Sequence, residues 1–174
     1  MIRNVLIFCC CFLASIRIGY ANDFGGVRPD QRPCVANIVI NETFNQDKVS
    51  QIFGDGKIVK TEVTPKGNKK VWWGFPGTAV VTVNGKVKLV AFMKKTGANG
   101  ISLQTEKGLQ IGQKSDEVLK AFGLPTYIKN DIYRKLKVTM YMYNSIGKIS
   151  NFSVFNANNT IMAISFMSSD WYSL

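Results

Sequence analysis

Ile111-Gly-Gln-Lys-Ser-Asp-Glu-Val-Leu-Lys-Ala-Phe-Gly123 is the stretch on which the fold turns, because it has a counterpart earlier in the chain, Phe44-Asn-Gln-Asp-Lys-Val-Ser-Gln-Ile-Phe-Gly54. Both read as short helices. In the later one Val118, Leu119 and Phe122 form an apolar stripe at helical spacing, matched in the earlier one by Val49, Ile52 and Phe53. Ser115 and Asn45 stand where N-caps are needed. Asp116 and Glu117 occupy a first turn, which the positive end of the helix dipole favours, and Gly123 followed by Pro125 stops the second helix.

Working outward, each helix is followed by four strand-like runs. After the first they cover 57–64, 69–75, 78–83 and 86–93, and the last two are joined by Asn84-Gly85, a type I′ hairpin signal because both central positions need positive φ. After the second they cover 126–133, 135–143, 148–155 and 160–167, separated by Asn-rich breaks. The expected fold class is therefore α+β: two tandem repeats, each a short helix plus an antiparallel four-stranded meander, with the helices on one face of the sheet. The expected boundaries are a signal peptide at 1–21, an N-terminal arm at 22–37, repeat one at 38–93, a join at 94–108, repeat two at 109–167 and a tail at 168–174.

The N-terminus predicts export. MIRN, the apolar run VLIFCCCFLASI and the small residues Gly19 and Ala21 follow one another in secretory order, with cleavage expected after Ala21. The apolar run falls well short of the roughly 20 residues that span a bilayer, so no transmembrane segment is expected in the mature chain. Cleavage removes Cys9, Cys10 and Cys11, which leaves Cys34 without a disulfide partner in its own chain, and removes Arg3 and Arg17, which lowers the formal charge from +11 to +9. The mature domain must then rest on its own apolar core, which is feasible at about 150 residues. The expected location is periplasmic or secreted.

The residues exclude several chemistries. There is no histidine, which removes Ser-His and Cys-His catalysis and His-ligated metal sites. Cys34 has only Arg28 and Arg32 near it in sequence, and no phosphate-binding Gly loop, CxxC pair or calcium loop occurs. No enzymatic activity, catalytic residue, metal ligand or cofactor is expected. The basic balance, a pI near 9.6, predicts attraction to anionic partners, with nucleic acid not among them because no nucleic-acid motif appears.

Period-two alternation divides the strands into two faces. Val138, Met140 and Met142 alternate with Thr139, Tyr141 and Tyr143, and the first set reads as core. Trp72 and Trp73, being adjacent, must point to opposite faces. One open face carrying Trp72 or Trp73, with Phe75, Tyr141 and Tyr143 beside Lys88 and Lys137, is the expected partner-binding surface, since aromatic side chains concentrate in binding hot spots.

At Gly108-Leu-Gln-Ile-Gly-Gln-Lys-Ser-Asp-Glu-Val-Leu-Lys-Ala-Phe-Gly-Leu-Pro125 the chain resembles the helix motif of small bacterial envelope proteins related to the outer-membrane assembly lipoprotein. The shared pattern is a Gly turn, a Val-containing helix and a Gly-x-Pro stop. With the duplication, the chain resembles the two-repeat β-lactamase-inhibitor-protein fold. That resemblance implies paired helices on one side of a continuous sheet whose concave side grips a partner. The lipidated cysteine of the assembly lipoprotein is missing and the inhibitor family's disulfides cannot form, so no family contact residue carries over. The expected function is an exported, non-enzymatic protein-binding module, an inhibitor or immunity factor acting through its open sheet face. The alternative is an envelope structural or assembly component that binds anionic lipid or cell-wall polymer.

Overall fold

Asn45 starts the first helix, α1 (Gln46–Phe53), by accepting a hydrogen bond from the Lys48 amide on Oδ1 at 2.9 Å. The chain leaves α1 through Gly54, whose φ of +87° is open to glycine, and Gly123 at +72° does the same after α2 (Asp116–Phe122). Ser115 does not act as the expected cap. It already has helical φ and ψ, its amide donates to the Asn159 carbonyl, and its buried Oγ has no partner. The computed structural model describes residues 34–105, 107–133, 135–144 and 150–173; the expected signal peptide and most of the expected arm lie outside them.

A small hairpin, β1 (Cys34–Val35) with β2 (Ile38–Val39), precedes α1. After α1 come β3 (Lys57–Val63), β4 (Lys69–Phe75), β5 (Thr78–Val83) and β6 (Lys86–Phe92). After α2 come β7 (Tyr127–Tyr133), β8 (Leu136–Asn144), β9 (Ser150–Ala157) and β10 (Thr160–Ser168). Two type I′ turns close the β5–β6 and β9–β10 hairpins, with positive φ at Asn84 and Gly85 and at Asn158 and Asn159. Each helix start is stitched to one of them. Thr43 bridges Lys86 beside the first turn, and Lys114 bridges Thr160 beside the second.

The eight long strands form one antiparallel sheet in the order β3-β4-β5-β6-β10-β9-β8-β7. This corrects the expected α+β arrangement of tandem helix-plus-four-stranded units: the protein is mostly a single eight-stranded antiparallel sheet carrying only two short α-helices among the described residues. The physical reason lies in β6 and β10. Leu89, Val90, Ala91 and Phe92 are apolar on both faces, as are Ile164, Phe166 and Met167 opposite them, and either strand left at an edge would expose backbone and apolar side chains together. Helices of eight and seven residues are too short to organise separate units.

The core has two sides. Over one face lie the helices, with Val49, Ile52 and Phe53 of α1 and Val118 and Phe122 of α2 packed on Phe75, Val80, Val90, Phe92, Val154, Ile164 and Phe166. Corresponding contacts repeat in the two halves. Phe53 meets Phe75 at 5.9 Å between ring centroids, and Phe122 meets Tyr143 at 5.7 Å. Each large side chain fully buried this way contributes about 1.5–3 kcal/mol.

The other face carries no α-helix among the described residues. It holds Trp72, Val81 and Leu89 in one cluster and Val138, Met140, Met142 and Phe155 in another, with Met93 packed against both. All five methionines after Met1 lie here: Met93, Met140, Met142, Met162 and Met167. Their flexible thioethers fill a broad, irregular sheet surface. Trp171, from the turn after β10, closes the Trp72 half by standing edge-on to that ring at 5.9 Å. No helix among the described residues is long and apolar enough to cross a membrane.

Candidate docking surface

The seven residues expected to form one binding surface are divided between the two faces. Phe75 and Tyr143 belong to the core under the helices, and Trp73 and Tyr141 pack against that core. Tyr143 is locked there. Its hydroxyl donates to the Gly123 carbonyl at 2.9 Å, and burial, with Tyr141 beside it, pushes the phenol well above its ordinary range. Trp72 is on the opposite face, with its Nε1–H donating to Glu62 Oε1 at 3.3 Å. The two indoles thus point to opposite faces as adjacency requires, but the helices cover the tyrosine side. Val138, Met140 and Met142 are buried as their alternation suggests, but Tyr143 is buried and Tyr141 partly covered on the opposite face, so both sets are packed.

The two lysines are also apart. Lys137 is exposed on β8, opposite Ile132 in the register. Lys88 is half-buried and donates to Asn41 Oδ1 at 2.7 Å and to Asp170 Oδ2 at 2.8 Å. Partial burial raises the Asp170 carboxyl, but hydrogen bonds from Lys88 and Ser168 outweigh it and hold the group below its ordinary value. The Lys88–Asp170 pair anchors the C-terminal turn that carries Trp171. Lys70 adds to the anchor, with its Nζ 3.8 Å from the centroid of the Trp171 ring.

Most of the large apolar side chains exposed among the described residues are gathered at the two ends of the sheet. On β3, Ile58, Val59 and Val63 face solvent. On β7, Ile132 is 69% exposed and Tyr127 and Ile128 are each 50% exposed, with Leu124 and Leu136 exposed beside them. Sequence reasoning missed this set because a hydrophobic strand read alone looks like core; only the sheet order identifies it as an edge.

β7 is regular. Its pairing with β8 runs from Tyr127 opposite Met142 to Tyr133 opposite Leu136 with no shift in register. Tyr133 pairs with Leu136 across a two-residue connection, so the alternate residues Ile132, Asn130 and Ile128 turn their backbone groups to the open edge, where the Ile132 amide donates to Asp131 Oδ1 at 2.7 Å. Asp131 Oδ2 lies 3.4 Å from Lys129 Nζ. β3 is different. Its register with β4 shifts between Ile58 and Lys60, and Lys60 and Lys70 gather around Glu62, whose carboxyl is held below its ordinary range first by the Lys60 hydrogen bond.

A shallow surface pocket beside α2 is lined by Lys107, Gln113, Glu117, Lys120 and Ala121, and its charges are already engaged, with Lys120 donating to Glu117 at 2.6 Å. Compared with protein-family models, curated proteins and solved structures, the chain matches none.

Proposed function

We propose that this chain is an exported, non-enzymatic protein-binding module that docks by extending its sheet at β7. The observation that carries the reading is the conjunction at that strand of exposed apolar side chains, Tyr127, Ile128 and Ile132, with backbone groups aimed away from the sheet. An added strand would receive main-chain hydrogen bonds from the edge and apolar contact from alternate side chains. The reading keeps the class of function expected from the sequence and moves the docking surface from a sheet face to a sheet edge. The lack of histidine supports its non-enzymatic part, since the sole cysteine expected in the mature chain has no imidazole base. The expected location remains the periplasm or the medium, and no cofactor is invoked.

Photocrosslinking tests the reading. A crosslinking side chain at position 132, introduced into the protein in the cells that produce it, is expected to yield a discrete protein adduct, whereas one at exposed Gln51 on α1 yields none. Equal yields from both positions, or an adduct lost steeply between low and physiological salt, would contradict edge docking; the second result favours nonspecific attraction to the basic surface.

A further inference from the structure

We infer that the strand received by β7 is β7 of a second copy of this chain, paired antiparallel about Asn130. The inference rests on the edge-docking reading above and names its occupant. The sequence of β7, Tyr127-Ile-Lys-Asn-Asp-Ile-Tyr133, reads in the same chemical order from either end once Lys and Asp are taken as complements. With Asn130 opposite its own counterpart, Ile128 falls opposite Ile132, Tyr127 opposite Tyr133, and Lys129 opposite Asp131. Every position then meets its like or its opposite charge, and the two-fold axis repeats each pairing.

The backbone agrees with this register. Ile128, Asn130 and Ile132 present their main-chain groups to the edge, so the pairs Ile128 with Ile132 and Asn130 with Asn130 are the ones that exchange hydrogen bonds. Ile128 and Ile132 lie on the helix side of the sheet, opposite Tyr141 and Lys137, while Lys129 and Asp131 lie on the methionine side, opposite Met140 and Val138. The axis is perpendicular to the sheet, so both copies keep their helices on the same side and the isoleucines of one continue those of the other. In a single copy Asp131 occupies the edge-facing Ile132 amide and holds Lys129. Pairing hands that amide to the Ile128 carbonyl of the second copy and turns Asp131 to the second copy's Lys129. The interface closes on itself and ends at the dimer, because each β7 has one open side.

The other edge strand fails the same test. Centred on Lys60, self-pairing of β3 sets Lys60 against Lys60, Ile58 against Glu62 and Lys57 against Val63. Like charges directly opposite are destabilising, and the register shift after Ile58 bends the strand away from a flat partner.

Two measurements on the purified protein test the inference. Sedimentation equilibrium is expected to show a concentration-dependent dimer that Asp131→Lys weakens by about tenfold or more, since the change strikes two symmetry-related pairs. The double exchange Lys129→Asp with Asp131→Lys restores it, which a folding defect would not allow. In a Cys34→Ser background, Asn130→Cys is expected to form an intermolecular disulfide, because directly opposite Cα atoms lie about 5.5 Å apart, within disulfide reach. Ile132→Cys is not, because its counterpart lies about 13 Å along the strand. A dimer indifferent to Asp131→Lys, or a disulfide at 132 and not at 130, overturns the register. A protein that stays monomeric while position 132 still crosslinks to a different protein overturns self-pairing and leaves edge docking standing; loss of both overturns both.

Discussion

The two outer strands of the sheet are each seven residues long and both expose isoleucine, yet they end the sheet in opposite ways. β3 has a register shift, two lysines and a carboxylate that binds one of those lysines and the Trp72 indole. Behind it Trp171 and Lys70 brace the Trp72 face. β7 has an unbroken register, one lysine balanced by one aspartate, and isoleucines placed symmetrically about its midpoint. Exposure of apolar residues is thus not enough to make a docking edge. A docking edge also needs straight backbone and a charge pattern that an incoming strand can match, and only β7 has both.

That contrast can be broken first at its support. Trp72→Ala is expected to cost about 3–5 kcal/mol of folding stability, measured by urea unfolding, because it removes a buried ring from between Glu62 and Trp171. Tyr127→Ala, at the exposed end of β7, is expected to change stability by only about 0.5 kcal/mol. Equal costs would mean that both edges are equally braced. A matched pair of substitutions sharpens the comparison at intermediate size. Ile132→Lys should weaken self-association by about tenfold, or ~1.4 kcal/mol, while Ile58→Lys leaves it unchanged; sedimentation measures both. An equal loss from Ile58→Lys would place β3 in the interface.

Much of the local structure was legible in the residues. Asn84-Gly85 marks a hairpin whose positive φ values the structure has, and Asn45 caps the helix it precedes. Ser115 shows the limit of that reading. The residue type fits a cap, but the bridge from Lys114 to Thr160 draws the chain into helical geometry one step early and strands the hydroxyl. The joining of β6 to β10 was not legible as a pairing, because alternation within a strand carries no information about which strand lies beside it. Its trace was present in Leu89 to Phe92, apolar at every position as a central strand must be. The candidate site was missed for a related reason. By residue type Tyr141 and Tyr143 suit an open face, whereas the docking edge depends on which strands come last in the sheet.

The smallest expected effect concerns the tail. Because the Asp170 carboxyl is held below its ordinary value of 3.8, the stabilisation it gives is complete above that pH and is lost as pH falls through the lowered value. Tryptophan fluorescence is therefore expected to stay constant from neutrality to about pH 4 and to change below it as Trp171 loosens from Trp72. Asp170→Asn should diminish that step while sparing self-association, the remainder coming from Glu62, whose lowered carboxyl accepts the Trp72 indole hydrogen bond. A fluorescence step at neutral pH would contradict the assignment.

The central claim, that β7 is the pairing edge and β3 the protected one, is tested most directly by native-state hydrogen exchange at two protein concentrations, one well below and one well above the dimerisation midpoint. The account predicts that the amides of Ile128, Asn130 and Ile132 exchange more slowly at the higher concentration, while the amides of Ile58 to Val63 exchange at the same rates in both. Concentration-independent exchange along β7, or slowing along β3, would contradict it.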